Sequence, residues 1–137
     1  MSTVRTLAVI LAALASLSSC SKSADPDAQR AADKWLALVD GGQYAQSWTE
    51  AASYFKAHLD SPAWEKSVGA VHAPLGSVQS RVLKSATPAK SLPGAPDGEY
   101  VVFQFDTSFE KKQSAVETVT PMRDTDGAWR VSGYYIK

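Results

Sequence analysis

At Ser77 the spacing of apolar residues changes from three-and-four to every second position, which divides the chain into a helical first half and a sheet-forming second half. Upstream, Asp25-Pro26 reads as a helix cap followed by a first-turn proline. Ala28, Ala31, Ala32, Trp35, Leu38 and Val39 then form one buried stripe, and Gly41-Gly42 ends it. Tyr44, Ser47, Trp48, Ala51, Phe55 and Leu59 mark a second helix, bent around Ala52 and Ser53. Ser61-Pro62 opens a third, with Trp64, Val68, Val71 and Leu75 on its inner face.

Downstream, Val78, Ser80 and Val82 alternate with Gln79, Arg81 and Leu83 in a first predicted strand. Thr87 to Gly98 holds three prolines and two glycines, which predicts a loop without sheet pairing. Val101, Phe103, Phe105, Thr107 and Phe109 form one side of a second strand. Lys111-Lys112 begins a turn, Ala115 to Met122 reads as a third strand, and Trp129 to Ile136 follows the hairpin signal Asp126-Gly127. The predicted fold class is α+β, three N-terminal helices packed on an antiparallel four-stranded meander.

The first twenty residues have a separate character. Leu7 to Leu17 is an apolar run of eleven residues behind Arg5. Crossing a bilayer takes roughly 20, so the run has the length of a secretion-signal core. It ends in Leu17-Ser18-Ser19-Cys20, which resembles the bacterial lipobox. That resemblance implies cleavage after residue 19, a diacylglyceryl and acyl anchor on Cys20, and a tether over 20–24 ahead of a domain over 25–137. Ser21, in place of aspartate, implies the outer membrane, on its periplasm-facing side. Cys20 is the one cysteine in the chain, so no intramolecular disulfide can form.

Charge excludes some partners. Fourteen basic residues balance fourteen acidic ones without a basic run, whereas a nucleic-acid surface needs clustered positive charge to displace counterions. His58 and His72 lie apart with no second ligand near either, so neither a metal nor another cofactor is expected. No nucleophile elbow or Ser/His/Asp order stands out.

A family resemblance is carried by Trp35-Leu36 with Asp40-Gly41, Tyr44 with Ser47-Trp48, Phe55, Trp64, Leu75-Gly76 and Ser80-Arg81. It continues through Leu92-Pro93-Gly94, Pro96 to Tyr100, Glu117, Trp129-Arg130-Val131 and Gly133-Tyr134-Tyr135. These residues resemble the bacterial family catalogued as domain of unknown function 4019, a resemblance that implies no particular activity. The element order also resembles cystatin-like folds, including the nuclear transport factor 2-like cone. That likeness implies a curved sheet with a pocket between helix and sheet, lined by residues such as Phe103, Phe105 and Trp129, and it is architectural only.

Within the predicted domain, Arg81 and Glu117 interrupt apolar alternation, where charge is costly to bury unless paired. Either they form an ion pair across the sheet or one of them faces a pocket and binds a polar ligand. His72 lies near the buried stripe, as a core-edge histidine or a general base. Trp35, Trp48, Trp64 and Trp129 fall at core spacing. Tyr134 and Tyr135 point to opposite sheet faces, and either can offer a partner surface. The leading expectation is a membrane-tethered envelope lipoprotein acting as a binding or accessory module on another envelope protein. A small-ligand carrier and a cone-fold enzyme are the alternatives.

Overall fold

The computed structural model describes residues 23–137; the signal run, the lipobox and Cys20 lie outside the described residues. Four helices come first: α1 (Pro26–Asp40), α2 (Tyr44–Thr49), α3 (Ser53–His58) and α4 (Ser61–His72). The strands follow as β1 (Val78–Ala89), β2 (Tyr100–Phe109), β3 (Lys112–Arg123) and β4 (Trp129–Ile136). They form one antiparallel sheet in the order β1-β2-β3-β4, with the helices against one face, so the α+β architecture is the one read from the change of period.

The helix starts are chemically specified. Asp25 accepts from the Asp27 backbone N–H at 2.9 Å, Asp60 accepts from that of Ala63 at 2.9 Å, and a proline stands in each first turn. Gly42, at φ 72°, lets the chain leave α1 in the left-handed region that side chains disfavour. The expected single second helix is instead two. Ala52 is extended and gives its N–H to Val131 O at 2.8 Å, while the Asp124 carboxylate takes both the N–H and the hydroxyl of Ser53. The helix breaks there because β4 and the β3–β4 turn supply those backbone groups with better-placed partners than another helical turn would.

Two boundaries differ from expectation on the sheet side. β1 continues through Thr87, Pro88 and Ala89, which pair with Val102, Val101 and Tyr100, so the irregular loop is only 90–99. β1 is an edge strand, where a missing N–H can face away from the neighbour. The β2–β3 turn is Glu110-Lys111, and Lys112 already belongs to β3. Register shifts in β1, near the end of β2 and at Thr120/Pro121 bend the sheet around the helices.

The inner sheet face and the helices share one core. Ala28, Ala32, Trp35, Leu36 and Val39 of α1 pack with Phe55, Trp64, Val68, Val101, Phe103, Phe105, Val119 and Val131. Phe103 is fully buried and Phe105 nearly so, which makes these two expected pocket residues part of the core, whereas the third, Trp129, lines two grooves. Ser47 organises the aromatic centre: its carbonyl accepts from the Trp35 indole at 2.8 Å, and its hydroxyl accepts from the Trp64 indole at 2.9 Å. On α4 the inward positions are Trp64, Val68 and His72, one every fourth residue; Val71, expected inside, is 46% exposed. A smaller cluster of Ala52, Tyr100 and Met122 lies under Tyr54, Leu92 and Ala95, and holds the 90–99 loop down.

Candidate functional site

Four of the residues singled out in the sequence converge on one network. Glu117, on the inner face of β3, has no solvent exposure. Its Oε1 accepts from Arg81 Nε at 2.8 Å and from the Thr107 hydroxyl at 2.6 Å; its Oε2 accepts from the Tyr134 hydroxyl at 2.6 Å and Arg81 Nη2 at 3.2 Å. The other edge of the Arg81 fork is taken by Asp40, with Nη1 at 2.7 Å from Oδ2 and Nη2 at 2.9 Å from Oδ1. The guanidinium, carried on β1, thus joins the last residue of α1 to β3, two strands away in the sheet.

His72 completes the chain. Its Nε2 lies 3.0 Å from the Tyr134 oxygen. Because the single phenol hydrogen is given to Glu117, that oxygen accepts, and the neutral imidazole is fixed as the Nε2–H tautomer. Tyr134 is therefore partly buried with its hydroxyl turned inward, against Trp35 with ring centroids 5.3 Å apart. Tyr135 faces outward and is 50% exposed.

The electrostatics follow from these contacts. Burial pushes the Glu117 carboxyl up, but hydrogen bonds from Arg81, Thr107 and Tyr134 together with the Arg81 charge outweigh it and hold the group below the usual carboxylate range. Burial, followed by the Glu117 charge, raises the Tyr134 phenol. Burial lowers His72 below its ordinary 6.5, against the opposing pull of Glu117 and Asp40; Arg81 adds to the lowering.

A pH prediction follows. The unfolded chain binds the His72 proton near pH 6.5 and the folded chain only below that, so stability is full above 6.5 and declines as pH falls through it toward the folded value. Glu117, with its folded pKa below the ordinary 4.5, adds a further loss at lower pH. Urea midpoints at pH 7.5 and 5.5 are expected to show the decline in the parent and a flatter profile in His72→Gln. The amide of that variant can still donate to Tyr134, and equal slopes in both proteins would sink the assignment.

Chemically, the network is closed. Each Arg81 donor edge and both Glu117 oxygens are occupied within the protein. Two grooves lie elsewhere on the domain: one of about 650 Å³ beside the start of α1, and one of about 220 Å³ between α1 and the start of β4. Neither is lined by Asp40, His72, Arg81, Thr107, Glu117 or Tyr134. A base at His72 or Glu117 has no substrate-sized space beside it in either groove. Among the described residues no group of three or more His, Cys, Asp or Glu is placed to hold a metal, and no helix is long and apolar enough to cross a membrane.

The sequence reading passed over two members, Asp40 and Thr107. Asp40 carried a signal. An acid in the last turn of a helix opposes the negative end of the dipole, so it needs a cation from elsewhere. Thr107 looked like one more inward strand residue. A second polar cluster was missed entirely: the cap Asp25 also accepts from Arg123 Nη2 and the Trp129 indole, each at 3.1 Å. Arg123 in turn pairs with Glu99 and lies 5.0 Å over the Trp129 ring.

A family model described as a protein of unknown function, DUF4019, matches residues 31–134. The chain belongs to the DUF4019 family. The matched stretch of this DUF4019 protein contains every member of the Asp40–Arg81–Glu117–Tyr134–His72 network, whereas the cap Asp25 lies before it. No curated protein matches the sequence significantly.

Proposed function

We propose that this DUF4019 protein is exported, cleaved before Cys20, acylated there, and held on the periplasm-facing side of the outer membrane as a binding or accessory module for another envelope protein. The observation that carries the binding role is the contrast between the two sheet faces. The inner face is filled, and its charges are paired with one another.

The outer face carries the cross-strand row Ser85, Gln104, Thr118 and Tyr135, and beside it Val82, Asp106 and Val116. Val82 is 65% exposed, and the buried Thr118 hydroxyl on this face has no hydrogen-bond partner within the protein. Apolar groups held out to solvent on this face, Val82 and Tyr135 among them, favour contact with a protein partner over catalysis. The lipobox-like Leu17 to Cys20 supports the anchored location.

A photo-crosslinking residue introduced at Tyr135 in intact cells is expected to trap a discrete envelope protein, while the same residue at Lys66, exposed on α4, traps none. The same products from both positions, or none from Tyr135, would contradict the reading.

A further inference from the structure

Several features meet at one end of the sheet: the start of α1, the β1–β2 loop and the β3–β4 turn. The groove of about 650 Å³ lies there, lined in part by Ser23, Asp25, Ala89, Lys90, Arg123 and Trp129. Ala24 packs against the main core, so residues 23–24 of the expected tether are already laid on the domain. Asp25 is then tied to Arg123 of β3 and Trp129 of β4. The point at which the chain leaves the domain is thereby fixed from three elements.

Only three steps of backbone separate Ser23 from Cys20, a reach of about 10 Å at most. The ten-residue β2 runs about 33 Å from this end to the β2–β3 turn at Glu110-Lys111. The reach of the tether is thus a fraction of the length of the domain.

We infer that this end of the domain faces the membrane, with the phospholipid surface lying against the mouth of the groove at Lys90, Arg123 and Trp129. The inference rests on lipid anchoring at Cys20 and adds the orientation that such an anchor imposes. At the mouth the exposed Lys90 ammonium can meet lipid phosphates; the Arg123 guanidinium and the Trp129 indole N–H are already engaged by Glu99, Asp25 and the Gly127 carbonyl, and they hold the chain's point of departure at this end. Asp25 and Glu99 balance those two cations, so the tether, and not net charge, supplies the binding. The β2–β3 turn is left pointing away from the bilayer, toward the space where an envelope partner lies.

The test uses the lipidated full chain in phosphatidylcholine vesicles. With Cys20 acylated, a cysteine introduced at exposed Lys90 or exposed Lys111 is the one free thiol and can carry a fluorophore. Headgroup spin-labelled lipids are expected to quench the dye at Lys90 several-fold more than the dye at Lys111. Ser91, also exposed, provides a second site at the near end should Lys90→Cys fold poorly. Protein that is retained on vesicles but quenched equally at both ends, or more at Lys111, would overturn the orientation alone. Protein that carries no lipid mass and is not retained would overturn the anchor, and the orientation with it.

Discussion

Arg81→Met is expected to destabilise the domain by about 3–5 kcal/mol, a large fraction of the stability of a domain this size. The cost comes less from losing an attraction than from what remains. Glu117 is fully buried, and without the guanidinium its carboxylate keeps only the Thr107 and Tyr134 hydroxyls as donors. Asp40 loses its partner as well, but its side chain is 27% exposed and can be solvated, so the penalty centres on Glu117.

Two consequences separate this account from simple loss of packing. Adding Glu117→Gln to Arg81→Met removes the stranded charge; the amide oxygen still accepts from one hydroxyl and the amide NH2 can donate to the oxygen of the other, so most of the lost stability should return in urea unfolding. In the single variant, burial without Arg81 should also raise the Glu117 pKa above its ordinary 4.5, so that the folded state binds the proton more readily than the unfolded one. Its deficit relative to the parent is then smaller at pH 5 than at pH 7. A deficit of the same size at both pH values, unrelieved by Glu117→Gln, would mean that Arg81 matters only for the volume it fills.

The network ties the two halves of the fold together. Asp40 ends α1, His72 ends α4, and Arg81, Thr107, Glu117 and Tyr134 come one from each strand. One shared set of hydrogen bonds therefore sets the position of two helix ends on all four strands. That is an organising role, and neither of the two grooves is lined by His72 or Glu117.

Much of this was legible before any coordinates, for reasons that are local. Caps and prolines at Asp25-Pro26 and Ser61-Pro62 act within one turn, and alternation from Val101 to Phe109 reports a strand with one buried side. Charged residues at inward strand positions flagged Arg81 and Glu117, because burial of an unpaired charge is so costly. The remainder depended on tertiary partners.

The break at Ala52 needs Val131 and Asp124, which lie far along the chain. Pro88 reads as a loop residue unless β1 is known to be the sheet edge. Hydropathy placed Val71 inside and left His72 at the margin, whereas a hydroxyl from Tyr134 makes the polar residue the better one to bury. Tyr134 and Tyr135 could not be sorted into core and surface until the β3–β4 register was fixed.

The second large effect concerns location. Cys20→Ala removes the sulfur that would carry the anchor, and since each buried CH₂ contributes about 0.8 kcal/mol, the several acyl chains of a lipidated cysteine hold a protein stably to a bilayer. The apolar run Leu7 to Leu17 is too short to span the hydrocarbon, and no helix among the described residues is long and apolar enough to do so. The variant should therefore move from almost wholly membrane-bound to almost wholly soluble, with its domain, described over residues 23–137, still folded.

The most direct measurement is intact mass together with membrane fractionation of the full-length parent and Cys20→Ala, expressed side by side in a bacterial host. The account predicts that the parent is a membrane-bound species beginning at Cys20 with added lipid mass, and that the variant has no lipid and lies in the soluble fraction. A parent without lipid mass that fractionates as Cys20→Ala does would contradict the anchored-module reading.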